Sequence, residues 1–276
     1  MIAEASLFAA PGPVTAIAAA ALAVLFVGLW AISVRISDVS IVDPVWGPAF
    51  VVVALVCLLV GDSSQGAGGE GRRWLLLGLT AVWGLRLGGY LLVRKLGDPA
   101  EDRRYAAMRE RRGAASFALY SLGMVFVLQG VLVLGVSLPL QVAAERRTGL
   151  DWLAWIGVAL WAVGVAFEAV GDEQMRRFKA DPASKGQVMD RGLWRYTRHP
   201  NYFGDFCVWW GLWLVALGAG GTWWTAIGPL VMSFLLIKGS GAALLEKDIS
   251  ERRPQYREYI SRTSGFIPLP PRRRQG

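Results

Sequence analysis

The sequence predicts an all-α, polytopic integral membrane protein with seven transmembrane helices. Of the 276 residues, 54% are hydrophobic, and they form long continuous blocks rather than amphipathic stripes. A hydrocarbon core about 30 Å thick requires about 20 apolar residues in each spanning helix, which matches these blocks. Their continuity argues against a transmembrane β-barrel, whose strands alternate between apolar and polar residues.

Seven apolar blocks are the predicted spans, and they occupy residues 13–34, 44–61, 74–93, 116–138, 152–171, 202–219 and 222–238. The first block is longer than the core of a signal peptide and no basic residue precedes it, so we expect it to remain as a membrane anchor. A short glycine-rich turn joins the last two blocks into a predicted helical hairpin. We therefore expect a single transmembrane domain over 1–276, with a disordered basic tail at 271–276.

Basic residues predict the orientation of the bundle. Seven arginines and lysines lie between residues 94 and 112 and seven more between 172 and 200, whereas the alternate loops carry only Arg72, Arg73, Arg146 and Arg147. Because cytoplasmic loops are enriched in Lys and Arg, we expect the N-terminus outside and the C-terminus in the cytoplasm.

The residue inventory argues against several classes of function. The formal net charge of +8 is spread over loops between spans, so we expect no nucleic-acid partner. Both cysteines, Cys57 and Cys207, lie in apolar blocks and indicate no disulfide framework. With one histidine and no cysteine pair, we expect no metal site. A glycine motif at Gly239 follows a span rather than a strand and does not form a Rossmann fingerprint.

Polar residues at membrane depth form the candidate site, because charge is costly there unless it lines a cavity. The central stretch is GLWRYTRHPNYFGDFCVWWG at residues 192–211. Its arginines alone could anchor a helix end by the positive-inside effect, but Asn201 and Asp205 lie with the apolar run and favour a site. On the third predicted span, a spacing of i, i+4, i+8 places three further polar residues on one stripe: Arg86, Tyr90 and Arg94.

Together, the polar residues predicted at the inner mouth of the bundle suit a nucleotide. Arginines favour a polyanion such as a phosphorylated cofactor, through bidentate hydrogen bonds. Acids such as Glu168 and Asp172, with Asn201, suit amide, ribose or adenine donors. An ion channel more often carries a ring of one sign. His199 could bond a backbone carbonyl or act as a general acid, and Asp43 could be a site residue or the N-cap of the second span.

At these residues the sequence resembles the bacterial, uncharacterised branch of the steroid 5-alpha-reductase superfamily. The resemblance rests on the blocks SIVDPVWG, WGLRLGGYLLVRK, EDRRYAAMRE, FEAVGDEQMRRFK, GLWRYTRHPNYFGD and LLEKDISERRPQYREYISRTSGFIP. It covers about residues 37–270, and it implies a seven-span bundle in a bacterial inner membrane that holds NADPH in its cytoplasmic half. The implied reaction is reduction of a C=C bond in a lipid-like enone, such as a steroid, sterol, acyl or isoprenoid compound, that enters from the lipid.

The resemblance also implies roles for individual residues. Asp43 or Tyr90 would be the catalytic acid, while Trp83 stands where the reductases carry a tyrosine and offers no phenol as a proton donor. The implied cofactor-binding residues are Arg86, Arg94, Glu168, Asp172, Lys179, Arg195, Tyr196, Arg198, His199, Asn201, Tyr202, Asp205, Lys238 and Glu246.

Two other functions stay open on the sequence. A similar RHP-x-Y block occurs in isoprenylcysteine and phospholipid methyltransferases, which bind S-adenosylmethionine, so a lipid methyltransferase is the first alternative. Glu168, Asp172 and the early cytoplasmic blocks favour the reductase, because the methyltransferases share mainly the later region. The second alternative is a non-enzymatic lipid-binding protein whose polar residues only pack helices. Membrane lipids are expected partners in each case, and the oligomeric state is open.

Overall fold

The computed structural model describes residues 12–61, 68–98, 100–146, 148–220, 222–239 and 255–272. Within these residues the regular structure is helical, and backbone pairing of the β type is confined to an isolated bridge between Thr197 and Ser264. The all-α prediction is confirmed for the described chain. Contacts divide the chain into two compact units, which are described separately: residues up to Trp155 with Leu212–Gly228, and Ile156–Gly211 with the residues from Pro229 onward.

Five helices are long enough and apolar enough to cross a membrane, as expected of an integral membrane protein. They are Pro13–Ile36, Val39–Val60, Glu70–Gly97, Ser116–Val136 and Trp152–Ala180, and they coincide with the first five predicted spans. The sixth predicted span coincides with Pro200–Leu217, an 18-residue helix that starts with polar residues. The seventh coincides with a shorter apolar helix, Trp223–Lys238. Seven crossings therefore stay a prediction.

The first unit is built mainly from the N-terminal half of the chain. Its helices are α1 (Pro13–Ile36), α2 (Trp46–Val60), α3 (Gly68–Gly97), α4 (Arg103–Glu110), α5 (Ala114–Ser121), α6 (Leu128–Val136) and α7 (Leu138–Ala144). A 3₁₀ segment, Val39–Val45, leads into α2, and a π-helical turn, Leu122–Val127, joins α5 to α6. Trp83 and Phe50 are fully buried between α3 and α2, with ring centroids 5.7 Å apart.

Small residues bring α2 and α3 into backbone contact. A Cβ atom at Gly47 would lie 2.4 Å from the carbonyl oxygen of Gly84, and one at Gly88 would lie 2.8 Å from that of Pro44. Such close approach is typical of helix pairs in membranes, where small residues replace bulky ones at the interface. The contact fixes the Asp43–Pro44 segment beside the turn of α3 that carries Gly88.

The second unit contains most of α8 (Trp152–Ala180), α9 (Pro200–Leu217) and α10 (Ile227–Phe234), with a π-helical turn (Leu235–Gly239) and α11 (Gln255–Arg262). The first residues of α8, the C-terminal end of α9 and the first residues of α10 belong to the first unit. Short 3₁₀ turns, Pro182–Ser184 and Gly192–Arg195, lie between α8 and α9.

Glycines also mediate the contact between α8 and α9. A Cβ atom at Gly204 would lie 2.5 Å from the carbonyl oxygen of Gly164, and one at Gly211 would lie 2.7 Å from that of Gly157. Further along, Gly171 packs against Pro200. Gly157, Gly164 and Gly171 recur every seven residues, which keeps them on nearly one helix face. The result is an antiparallel pair whose backbones touch.

The structure corrects the placement of two arginines. Arg72 and Arg73, which the sequence assigned to a loop, lie within α3 and are 1% and 5% exposed. The Arg72 guanidinium donates hydrogen bonds to the carbonyl oxygens of Val215, Gly149 and Thr148. The helix begins earlier than predicted because these bonds, and an ion pair 3.7 Å long to Asp151, compensate the cost of burying the charge.

Candidate functional site

The predicted site residues fall into two groups, one in each compact unit. Asp43, Arg86, Tyr90 and Arg94 belong to the first unit. The others belong to the second, and Glu246 lies outside the described residues.

Asp43 lies inside the 3₁₀ segment Val39–Val45 rather than at its start. Its Oδ1 accepts a hydrogen bond of 3.0 Å from the phenol of Tyr105, and its Oδ2 lies 3.3 Å from Nη2 of Arg104. The N-cap alternative for Asp43 is therefore wrong. Asp38 is the N-cap, since its side chain accepts from the backbone N–H of Ser40.

Tyr90 and Arg86 lie one turn apart on α3, both half-buried, and the Arg86 guanidinium is 5.9 Å from the centre of the Tyr90 ring. Gly88 lies between them and packs on the Pro44 carbonyl. The two predicted catalytic acids, Asp43 and Tyr90, are therefore brought to the same end of the α2–α3 pair. Arg94 lies a turn further on and is exposed.

Around Asp43 the structure adds eight polar residues that the sequence did not assign to the site. We call them, together with Asp43, the first-unit cluster: Asp38, Ser40, Asp43, Lys95, Glu101, Asp102, Arg104, Tyr105 and Arg109. Lys95 Nζ is 2.7 Å from Asp38 Oδ2 and donates to Ser40 Oγ over 2.9 Å. Burial alone raises the pKa of Asp38, but the hydrogen bonds from Lys95 and Ser40 outweigh it and leave that pKa below its ordinary value. Asp38 is therefore a carboxylate at neutral pH.

In the rest of the cluster, Glu101 connects α4 to the 3₁₀ segment Val39–Val45. Glu101 accepts two hydrogen bonds from Arg109, of 2.7 and 3.0 Å, and one of 2.9 Å from the backbone N–H of Val39. Burial, reinforced by Asp43, raises the pKa of the Tyr105 phenol, so the hydroxyl keeps its proton and remains a donor. The block EDRRYAAMRE contained these residues. Their partners lie about sixty positions earlier in the chain (separations of 61 and 62), and no local spacing reveals such pairs.

In the second unit, three predicted acids are buried at the contact of α8 and α9. Glu168, Asp172 and Asp205 are 3%, 6% and 8% exposed. A Cβ atom at Gly204 would lie 2.7 Å from the backbone nitrogen of Glu168, so Glu168 and Asp205 flank the same backbone contact. Asn201 is beside it as well, because Gly171 packs against Pro200 and the Asn201 nitrogen.

His199 begins this acid-bearing end of α9. It is 5% exposed, and its ring stacks on that of Tyr202 with centroids 5.3 Å apart and planes within 8°. The remaining predicted residues of this unit are more open: Tyr202 is half-buried, whereas Lys179, Arg195, Tyr196 and Lys238 are exposed. Buried acids with one imidazole, flanked by exposed cations, therefore make up the second-unit site.

Arg198 has a different environment from the one the sequence suggested. Its Nη1 donates to the carbonyl oxygens of Ile260 and Thr263, over 3.0 and 3.1 Å, at the C-terminal end of α11. Its backbone N–H donates to Ser264 O over 2.9 Å. The last carbonyl oxygens of an α-helix generally lack partners within the helix, so Arg198 caps α11.

Neighbouring residues complete this attachment of the C-terminal segment. Thr197 Oγ1 donates to Phe266 O over 2.8 Å, and the Tyr259 phenol donates to Trp194 O. The Phe266 ring contacts those of Phe203 and Phe206, at 6.2 and 5.6 Å between centroids. We call residues 194–198 together with 259–266 the C-terminal clasp. These contacts join segments about sixty or more positions apart, so the local sequence does not reveal them.

Chemically, the two groups of residues differ in the functional groups that they offer. The second-unit acids can accept hydrogen bonds from amide, hydroxyl or amino groups, and the exposed cations beside them can bind phosphates. The first unit offers phenols, of which Tyr105 is committed to Asp43. Among the described residues no cluster of histidine, cysteine and acidic side chains could hold a metal ion.

Comparison with known proteins places the chain in a family. Residues 29–263 match a family described as "Protein of unknown function (DUF1295)". The chain is similar to "Uncharacterized protein C594.04c" of Schizosaccharomyces pombe, at 27% identity over 267 residues, covering 87% of this chain and 75% of the relative. No solved structure matches. Because the family match extends from the second half of α1 to the residue after α11, the chain belongs to the DUF1295 family.

Proposed function

We propose that the protein is a membrane-embedded, NADPH-dependent reductase of a C=C bond in a lipid-like enone. The observation that carries this proposal is the burial of Glu168, Asp172 and Asp205 where two helix backbones touch. Helix packing alone does not require three carboxylates, whose desolvation is costly unless donors or cations compensate it. Membrane proteins retain such residues mainly at functional sites.

The chemistry of these side chains fits NADPH. Buried carboxylates and Asn201 can accept from, or donate to, the carboxamide and ribose hydroxyls. Exposed Lys179, Arg195 and Lys238 supply positive charge for phosphates. Because Arg198 directs Nη1 at α11, we assign it to positioning the clasp rather than to gripping phosphate. NADPH, when bound, would supply the hydride for the alkene.

The proton for the reduction has to come from the protein or from water. Asp43 is a poor donor because its oxygens already accept from Tyr105 and Arg104. Tyr90 is half-buried, and the Arg86 guanidinium lies 5.9 Å from the centre of its ring. Tyr90 is therefore our choice of general acid for the substrate carbonyl.

The first test is cofactor-dependent melting of the detergent-purified full chain. Ligand at about 100 times its Kd should stabilise the folded protein by about 2.7 kcal/mol. We expect NADPH to raise the melting temperature and S-adenosylmethionine to leave it unchanged. The opposite result would replace the reductase by the methyltransferase, and no response to either would favour the non-enzymatic lipid-binding alternative.

A matched pair of variants localises the cofactor. Asp172→Asn should weaken NADPH binding about tenfold or more, because a hydrogen bond to a charged group contributes about 1.5–3 kcal/mol. Glu173→Gln is the control, since Glu173 points its carboxylate at Arg176 and Arg177 on the surface of α8. The affinity of each variant is measured by fluorescence titration of NADPH. Equal affinity in the two variants would show that Asp172 does not contact the cofactor.

We also propose the finer membrane arrangement: seven spans, N-terminus outside, C-terminus cytoplasmic, in the inner membrane of a bacterium. Support comes from the concentration of basic residues in alternate loops. Under this arrangement the second-unit site faces the cytoplasm, where NADPH is available.

A further inference from the structure

A cavity of about 260 Å³ opens in the first unit, away from the residues assigned to NADPH. Its lining includes Ser33 and Val34 in the last turn of α1 and Phe117 and Ser121 in α5. Both helices belong to candidate membrane spans, Pro13–Ile36 and Ser116–Val136. The cavity therefore lies near the ends of two spans, at the depth where acyl chains give way to headgroups.

Two serines of the lining are engaged within the protein. Ser33 Oγ donates to Trp30 O over 2.8 Å, and Ser121 Oγ donates to Ala118 O over 2.9 Å. Because Ser33 and Ser121 are only 0% and 1% exposed, their hydroxyl groups are not accessible to a ligand. The polar group that a ligand meets therefore comes from another residue of the lining.

Arg109 is the cation that lines the cavity. Arg109 is held by Glu101, which accepts from its Nε and Nη2, and by Ser37 O, which accepts from Nη2 over 3.0 Å. Its guanidinium lies 4.5 Å from the centre of the Phe117 ring. Within the described chain its third nitrogen, Nη1, makes no hydrogen bond, so a fixed pair of N–H donors remains for a ligand.

A second arginine contacts α5 next to the lining. Arg112 is exposed, and its guanidinium lies 3.6 Å from the centre of the ring of Tyr120, the residue before Ser121. Val34 and Phe117 are apolar members of the lining. The cavity thus combines apolar side chains with arginine cations at a membrane boundary.

We propose that this cavity binds the headgroup of an anionic phospholipid taken from the adjacent leaflet. The phosphate contacts Arg109 Nη1 and the Arg112 cation. The acyl chains leave past Val34 along α1, whose exposed residues Val27 and Ile32 face lipid. A membrane lipid is favoured over a soluble anion because the apolar side opens at the end of the spans.

The test uses the full chain in nanodiscs containing phosphatidylglycerol and phosphatidylcholine, followed by native mass spectrometry of retained lipid. Wild-type protein should retain phosphatidylglycerol in preference. Ala118→Leu, which fills the cavity without changing charge, and Arg112→Gln should each reduce this retention about tenfold. Arg111→Gln is the matched control: it removes the same charge from the neighbouring exposed arginine and should leave retention near the wild-type value.

Three outcomes would overturn the proposal. One is equal retention of the two lipids by wild type. Another is unchanged retention in both Ala118→Leu and Arg112→Gln. The third is melting stabilisation by inorganic phosphate equal to that by phosphatidylglycerol, which would indicate a site for a soluble anion. Melting of each variant without added anionic lipid identifies any that fails to fold, and Arg112→Gln, a surface change, keeps the test independent of Ala118→Leu.

Discussion

Asp38 shows how a single carboxylate organises the first-unit cluster. It caps the 3₁₀ segment through Ser40 N and forms an ion pair with Lys95 of α3. The same carboxylate thus sets the start of one element and attaches it to another. Asp43, five residues later, has different partners: it accepts hydrogen bonds from Tyr105 and Arg104, both in α4.

Replacing Asp38 by Asn should destabilise the protein by about 1–2 kcal/mol at neutral pH, because a cap and an ion pair are weakened together. The folded-state pKa of Asp38 lies below its ordinary value of 3.8, so its stabilisation is present above that pH. It is lost as pH falls through the folded-state pKa. Melting curves of wild type and variant should therefore converge in acid.

Asp98→Asn is the control for this measurement, since Asp98 is exposed at the end of α3. A difference between wild type and Asp38→Asn that stays constant down to acid pH would contradict the assigned ionisation.

Tyr90 and Tyr105 provide the residue-scale test of the chemistry. Tyr90→Phe should lower kcat for enone reduction about 10²- to 10⁴-fold, the usual contribution of general acid catalysis, with NADPH affinity unchanged. The measurement is NADPH oxidation at saturating substrate beside a binding titration. If Tyr105→Phe abolishes turnover and Tyr90→Phe does not, the donor is the Tyr105–Asp43 pair.

At the scale of elements, glycine decides how closely α8 approaches α9. Glu168 and Asp205 adjoin a contact in which the Gly164 and Gly204 backbones touch. Any side chain there would move the helices apart and with them the acids. The seven-residue recurrence of Gly157, Gly164 and Gly171 is visible in the sequence and could have predicted this contact.

Gly204→Ala should therefore destabilise the protein by about 1–3 kcal/mol, the usual cost of overpacking, and weaken NADPH binding with it. Gly78→Ala is the control: that glycine is exposed on α3 with open space at its Cβ position. The control should gain about 0.5–1 kcal/mol from helix propensity. Thermal melting distinguishes the two, and equal shifts of the same sign would contradict the tight contact.

The C-terminal clasp is a second element-scale feature. Arg198→Ala should remove two hydrogen bonds from the end of α11 and release residues 255–266 from Trp194 and Thr197. Amide hydrogen exchange in that segment should accelerate about tenfold or more. Arg195→Ala, a change of an exposed neighbour whose side chain makes no ion pair or hydrogen bond in the described chain, should leave exchange there unaltered. Equal acceleration in both would assign the effect to lost charge.

At the scale of the whole molecule, the number of crossings depends on α9 and α10. Five spans or seven both place the C-terminus on the same side, so a C-terminal reporter does not separate them. An alkaline phosphatase fusion in the turn after residue 219 does, because seven spans put that turn outside. We expect an active enzyme there and an inactive one after residue 272. Inactivity at both positions would mean that α9 and α10 remain on the cytoplasmic side.

The amino-acid sequence by itself determined the helical class, the first five apolar spans and the positions of the basic loops, because hydropathy and loop charge act locally along the chain. Only the tertiary structure decided which charges are neutralised and by which partner. Arg72 lies deep in the first unit on carbonyls of distant segments, Arg198 caps α11, and Asp43 meets Tyr105 across 62 positions. The physical reason is that the cost of a buried charge is settled by neighbours in space, and spacing along the chain does not reveal them.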